Sequence, residues 1–164
     1  MKRDLIRHPA GARIAARIHV EIAWRSPSTL RARYDAELPM GVGNLVVPDL
    51  DAPERTDGLW RSTCFELFLR LAGDVRYCEL NFSPSRRWAA YSFADVRRGM
   101  AELDLPAPPE ISTTAGETDF ALEALLPLPA AWRDAQLEAA AAVILEDTAG
   151  AKAYWALAHP AGEP

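Results

Sequence analysis

Residues 57–93 read DGLWRSTCFELFLRLAGDVRYCELNFSPSRRWAAYSF, and this stretch decides the fold. Apolar and polar residues alternate over 64–71 and again over 77–82, which is the two-residue period of a strand with two different faces. The tight turn at 72–75 joins the two runs into an antiparallel hairpin. Matching the apolar faces across the turn pairs Leu69 with Cys78, Leu67 with Leu80, and Phe65 with Phe82. The same register pairs Glu66 with Asn81 and Phe68 with Glu79 on the second face, where we look for function.

The same alternation recurs along the rest of the chain. Apolar residues take the even positions from Ile14 to Trp24 and again from Leu30 to Leu38, with turn residues at 26–29, so a second hairpin is predicted. Further strands are predicted at 88–93 and 119–126, with a short one at 41–47. A short helix or an irregular turn is expected at 94–103, and an exposed connection at 105–118. Residues 136–145 are ambiguous between helix and strand, and we favour a hairpin over 143–157.

Roughly eight or nine short strands with at most one or two short helices are typical of an antiparallel β-sandwich. We therefore predict an all-β fold. The 164 residues suit a single domain, 1–164.

The net charge of −5 excludes the usual electrostatic basis for nucleic-acid binding, so no nucleic-acid partner is expected. No apolar run reaches the length of a membrane span, and the basic N-terminus lacks the apolar core of a secretory signal. We predict no membrane association and a cytoplasmic location. Cys64 and Cys78 face opposite ways in the predicted hairpin, so both are expected to be free thiols.

Nucleophilic catalysis has little support, because there is no Gly-x-Ser-x-Gly elbow and the three histidines lie far from the central strands in sequence. No Cys/His metal motif occurs. A calcium site in the 49–57 loop is a weak alternative, since spaced acids there are more often simply solvated. Glu66 and Glu79 face the same side of the hairpin, and a glycosidase pair is the less favoured interpretation of them.

Flat aromatic rings beside planar polar groups are typical of sugar-binding sites. The residues that fit this description are Trp60, Trp88 and Trp155 with Glu66, Asn81 and Arg87. The competing interpretation is that the tryptophans fill the core, and pattern alone favours it.

The phrases LWRSTCFELFL, YCELNFSPSRRWAAYSF, RRGM and YWALAHP together resemble the bacterial DOMON-like domains, relatives of the family nine carbohydrate-binding modules and of the haem- and sugar-binding DOMON domains. The resemblance covers roughly residues 5–160. It implies an immunoglobulin-like or jelly-roll sandwich with a ligand site on one sheet or at its end. In the sugar-binding relatives two tryptophans sandwich the sugar, and an acid and an arginine bond its hydroxyls. Trp60 and Glu66 match the first ring and the acid. Looser matches are Arg87 or Arg86 for the arginine, Asn81 for an amide and Trp155 for the second ring.

Two departures accompany the resemblance. Members tend to have glycine at the position of Arg86, which alters the turn beside the site. They also usually continue into a further strand after the YWALAHP region, so either the sequence is truncated or one sheet edge is open, and an open edge favours a homo-oligomer. Haem-binding relatives ligate iron with Met plus His or Lys. The corresponding residue types here, Met40, Met100, His8, His159 and Lys152, lie in no matching motif.

We therefore predict a non-catalytic module that binds a small saccharide or a sugar-like cell-wall precursor, without a cofactor. The alternatives are a protein-interaction scaffold without a small ligand and a haem-binding domain. Trp60, Glu66, Asn81, Arg87, Trp88 and Trp155 are the predicted ligand-binding residues.

Overall fold

The computed structural model of this chain describes residues 1–129, 132 and 134–159. Their strands are β1 (Lys2–Asp4), β2 (Ile6–Arg7), β3 (Arg17–Ser26), β4 (Thr29–Glu37), β5 (Cys64–Leu71), β6 (Tyr77–Phe82), β7 (Trp88–Phe93), β8 (Ala101–Glu102), β9 (Glu110–Ala115), β10 (Asp119–Pro127), β11 (Leu137–Glu146) and β12 (Lys152–Ala156). The helices among the described residues are two 3-10 turns, Val42–Asn44 and Leu59–Arg61. No helix in the described ranges is long and apolar enough to cross a membrane.

The strands form two antiparallel sheets, as the alternation predicted. One has five strands in the order β1-β3-β4-β10-β9, and the other has seven in the order β2-β12-β11-β5-β6-β7-β8. The predicted hairpin of β5 and β6 is confirmed in every pair, including Phe65 with Phe82 and Glu66 with Asn81. Cys64 and Cys78 are both buried and free, also as predicted. The all-β sandwich is thus confirmed.

The core lies between the two sheets. Phe65 of β5 stacks on Phe120 of β10 with ring centroids 5.8 Å apart, and it meets Tyr34 of β4 edge-on at 5.3 Å. The buried Tyr34 hydroxyl donates to the backbone oxygen of Glu66 at 2.8 Å, which joins the sheets by a polar contact as well. Buried apolar packing of this kind dominates the stability of a sandwich.

The structure corrects one local prediction and decides between the alternatives of two others. Residues 110–115, expected to be an exposed connection, form edge strand β9 beside β10. Ile111 is its one buried side chain, so no apolar alternation marked it in the sequence. Residues 94–100 form a turn and not a helix, with positive φ at Arg97 and Gly99. Residues 137–146 are one long strand, because β11 is enclosed between β12 and β5.

The edge of β12 is not open, contrary to the expectation from the missing strand. The N-terminal segment covers it through β2, where Arg7 pairs with Trp155 and Ile6 with Ala156. The backbone N–H of His8 donates to the oxygen of Tyr154, and that of Ala12 donates to the oxygen of Lys152, both at 2.7 Å. These bonds extend the pairing along β12. The homo-oligomer stays a prediction, and the edge of β12 gives it no support.

Candidate functional site

Opposite residues on neighbouring antiparallel strands share a face, so the registers define two rows across the seven-stranded sheet. The row that faces the core is Trp155, Val143, Phe65, Phe82 and Trp88. The row on the outer face is Ala156, Ala142, Glu66, Asn81 and Ala89. Small alanines therefore flank the Glu66–Asn81 pair on both sides. Missing side-chain volume beside two polar residues leaves a hollow on the outer face of this sheet.

The hollow is open to solvent and has a volume of about 640 Å³. Such a volume lies within the usual range of roughly 300–1,000 Å³ for small-molecule sites. Its lining residues come from the 3-10 turn at 59–61, from β5, β6, β7, β11 and β12, from the 94–100 turn and from the segment after β12. They include Trp60, Glu66, Phe68, Tyr77, Glu79, Phe93, Arg97, Met100, Tyr154 and His159.

Two carboxyl groups, those of Glu66 and Glu79, line the hollow, and the amide of Asn81 is buried beside them. Asn81 is fully buried, and its Nδ2 donates to Oε1 of Glu79 at 3.1 Å. Its Oδ1 has no hydrogen-bond partner. Within the described part of the chain, no side chain forms a hydrogen bond or an ion pair with the Glu66 carboxyl, although Glu66 is 9% exposed. An acceptor left unpaired at such a position costs stability unless a ligand or water satisfies it.

Burial also changes how these acids titrate. It is the main cause that raises the pKa of Glu66 to about 8, and the charge of Glu79 adds to it. The pKa of Glu79 is raised by burial too, but the hydrogen bond from Asn81 and the charge of Arg97 oppose the rise. At neutral pH the pair therefore combines a protonated Glu66 with a Glu79 that more readily ionises.

Aromatic rings form the wall of the hollow on the β7 side. Gly58 adopts a left-handed conformation with φ 74°, which turns the chain into the 3-10 turn that carries Trp60. The Trp60 ring meets Tyr91 edge-on at 5.8 Å, and the Tyr91 hydroxyl donates to the Asp57 carboxylate. Tyr77 and Phe93 stack in parallel with centroids 4.6 Å apart. These contacts hold Trp60 half-buried at the rim, so part of its surface faces the hollow.

Trp88 and Trp155 occupy strand positions that face the core. Both lie in the core row opposite Phe82 and Val143, and they are 7% and 2% exposed. The guanidinium of Arg55 lies over the Trp88 ring, 4.9 Å from its centroid. Their strand positions direct both indoles to the core side of the sheet, yet Trp155 still contributes to the lining of the hollow, whereas Trp88 does not.

The two arginine candidates lie away from the hollow. Arg87 forms an ion pair with Asp51 and lines a separate, smaller polar depression with Ser83 and Ser85. Arg86 occupies the left-handed region with φ 76°, in the turn closed by the bond from its N–H to the oxygen of Ser83 at 3.0 Å. Of the predicted set, Trp60, Glu66 and Trp155 line the hollow, and Asn81 is buried beside Glu66. Arg87 and Trp88 do not line it.

Sequence reasoning did not assign Tyr77, Phe68, Phe93 and Tyr154 to the site, and it weighed Glu79 only as a catalytic acid. The strand register could have identified Tyr77 and Glu79, because every second residue of β6 shares the face of Asn81. Tyr154 and His159 required knowledge that β12 follows β11 in the sheet. Their proximity comes from long-range pairing, for which the local pattern has no signal.

The hollow has two further properties that bear on metals and haem. Among residues 1–129, 132 and 134–159, no three His, Cys, Asp or Glu side chains are arranged to hold a metal ion. Met100 and His159 both line the hollow, but Nε2 of His159 donates to the backbone oxygen of Ile6 at 2.6 Å. That bond occupies the nitrogen, and the two carboxyl groups are unfavourable for an anionic porphyrin. The residues present do not fit haem.

No protein-family model matches the chain, and no curated protein matches it either. Solved structures do. One is the crystal structure of a candidate carbohydrate-binding protein from Bacteroides uniformis ATCC 8492, with a TM-score of 0.59 and 12% identity, covering 100% of this chain and 80% of that one. Another is a carbohydrate-binding module of family 9 from Caldicellulosiruptor kristjanssonii in complex with glucose, with a TM-score of 0.51 and 12% identity, covering 92% of this chain and 71% of that one. At this identity the likeness shows a shared β-sandwich fold, while membership of the DOMON-like domains stays a prediction.

Proposed function

We propose that the hollow on the outer face of the seven-stranded sheet binds a small saccharide without hydrolysing it. The observation that carries this proposal is that Glu66 and Glu79 line the hollow together with the small residues Ala142 and Ala156 and the half-buried Trp60. The carboxyl groups can bond sugar hydroxyls, and the indole can pack on the C–H face of the ring. The fold shared with a candidate carbohydrate-binding protein and with a carbohydrate-binding module in complex with glucose supports this class of ligand.

Saccharide binding can be tested by isothermal titration calorimetry and thermal shift against a panel of mono- and disaccharides. A ligand present at a hundredfold its dissociation constant adds about 2.7 kcal/mol to the free energy of unfolding. We expect at least one saccharide to bind and to quench tryptophan fluorescence through Trp60. If no sugar on the panel changes the melting temperature or gives heat, the interaction-scaffold alternative replaces this proposal.

Glycoside hydrolysis is a second candidate, favoured by one observation. Glu66 and Glu79 face the same hollow, and their surroundings affect their pKa values to different degrees. A protonated acid beside an ionised carboxylate is the arrangement that glycosidases use. Nitrophenyl glycosides of several hexoses test for hydrolysis. Release of nitrophenolate by the parent protein that is lost in both Glu66→Gln and Glu79→Gln would establish turnover. We expect no release, because the neighbours in fold are described as binding proteins.

A further inference from the structure

We propose that the preferred ligand carries a protonated amino group, so that the hollow takes a free-amine sugar ahead of its neutral counterpart. The inference rests on the proposed saccharide binding and specifies the chemistry that the site selects. It depends on the balance of donors, acceptors and charge around Glu66.

The two carboxyl groups that line the hollow accept hydrogen bonds once they are ionised. Glu66 contributes a carboxyl without a side-chain partner among the described residues, and Glu79 contributes the oxygen that Asn81 leaves free. The buried amide nitrogen of Asn81 is already used by Glu79. A protonated amine has three N–H donors and no acceptor, so it matches this set better than a hydroxyl, which brings both.

The two acids that line the hollow also lack an ion-pair partner among the described residues. In the described part of the chain, no Lys, Arg or His forms an ion pair with Glu66 or Glu79. Arg97 is exposed at the mouth of the hollow and acts on Glu79 only through space. Two carboxyls close together in a partly dry site repel one another when both ionise. A cation between them removes this repulsion, which a neutral sugar cannot do.

The aromatic wall favours the same ligand. Trp60, Tyr77, Phe68 and Phe93 all line the hollow. The faces of such rings carry partial negative charge and attract ammonium groups within about 6 Å, more strongly when water is excluded. Two acidic side chains and these four aromatic rings therefore line the same hollow. This combination distinguishes an amine from a hydroxyl of similar size.

Binding of an amine should be linked to loss of a proton from Glu66. The titratable groups that face Glu66 are Glu79 on β6, Cys64 on its own strand, Tyr154 on β12, and Tyr77, Arg97 and His159 around the rim. Because burial and Glu79 hold the pKa of Glu66 at about 8, most of it is protonated at pH 7. An incoming ammonium favours the carboxylate, and the proton released passes to the buffer.

The test compares glucose and N-acetylglucosamine, both neutral, with glucosamine and 6-amino-6-deoxyglucose, which carry a free amine. Each is titrated calorimetrically at pH 7 in phosphate and in HEPES, whose different ionisation enthalpies report the number of protons exchanged. We expect at least one amine sugar to bind about tenfold more tightly than glucose, the difference between a charged and a neutral hydrogen bond. We also expect it to release close to one proton, and glucose to release none.

The Glu66→Gln variant is the matched control, since it keeps the shape of the side chain and removes its charge and proton. Amine preference and proton release should both disappear in it, while a circular dichroism spectrum like that of the parent shows that the fold is kept. Glucose binding as tightly as the amine sugars, or no proton release from the parent protein, overturns the inference and leaves saccharide binding intact. If no hexose of either charge binds, saccharide binding itself is wrong, and the inference fails with it.

Discussion

Asn81 donates from Nδ2 to Oε1 of Glu79 at 3.1 Å, two residues along the same face of β6, while its own Oδ1 lies buried without a partner. The amide thus holds one acid in place, and Asn81 is paired across the strands with Glu66. A fully buried amide with half of its hydrogen-bonding capacity unused contributes less to stability than a satisfied one.

Replacing Asn81 with aspartate should destabilise the protein in a pH-dependent way. Asn81→Asp removes the donor to Glu79 and places a third acid beside two others in a buried site. We expect the free energy of unfolding in urea to fall by a few kcal/mol at pH 8 and by less at pH 5, where the acids are protonated. The control Glu79→Gln retains an oxygen for the Asn81 bond and should lose little. An equal loss at both pH values in Asn81→Asp would show that only the shape of Asn81 matters.

The stability of the parent protein should fall as the pH rises from about 4.5 to 8. The pKa of Glu66 is raised from 4.5 to about 8 in the folded state, so the folded protein binds more protons than the unfolded chain in this window. The slope reaches about 1.4 kcal/mol for each pH unit and ends above the folded-state pKa. Urea unfolding at closely spaced pH values measures it. Glu66→Gln should flatten the dependence of the free energy of unfolding on pH, and the variant should be more stable than the parent at pH 8. If the slope is unchanged by the substitution, other titratable groups cause it.

Trp60 and Trp155 should respond in opposite ways to truncation. Trp60 lies half-buried at the rim, so Trp60→Ala should abolish saccharide binding at a modest cost in stability. Trp155 is 2% exposed in the core row, so Trp155→Ala should cost about 3–5 kcal/mol, as large aromatic deletions do. Trp24, 43% exposed on the other sheet, provides a control in which Trp24→Ala changes neither property. Calorimetry and urea unfolding measure the two effects, and a Trp60→Ala protein that binds normally excludes this face.

Arg86→Gly should stabilise the protein. Arg86 has φ 76°, a conformation that costs a non-glycine residue about 1–2 kcal/mol, and its Nε is buried without a partner. Glycine removes the steric cost but gains flexibility in the unfolded chain, so we expect a net increase of about 1 kcal/mol in the free energy of unfolding. Arg86→Ala retains the backbone strain and separates the two causes. If the free energy of unfolding rises as much in the alanine variant as in the glycine variant, the gain comes from removing the buried guanidinium and not from relieving the backbone conformation.

The sequence by itself determined the sandwich and the hairpin at its centre. Alternation with period two is a local property, and a shift of one residue would expose Phe65 and Leu67 while burying Arg70, so the register of β5 and β6 has one favourable solution. That register placed Glu66, Asn81 and Glu79 on one face before any tertiary information was used. Trp60 was assigned to the rim because it precedes the strand, and it lies there.

Only the tertiary structure decided which face the other aromatic residues join. Trp88 and Trp155 are in strands where both faces are apolar, as in β7, whose Tyr91 and Phe93 lie on the outer side, so alternation alone leaves the choice open. The choice follows from strand order: β11 pairs with β5 over a separation of about seventy residues and brings β12, with Tyr154 outward and Trp155 inward, to the hollow. Pairing between distant strands is selected by the free energy of the whole core, and no local pattern encodes it.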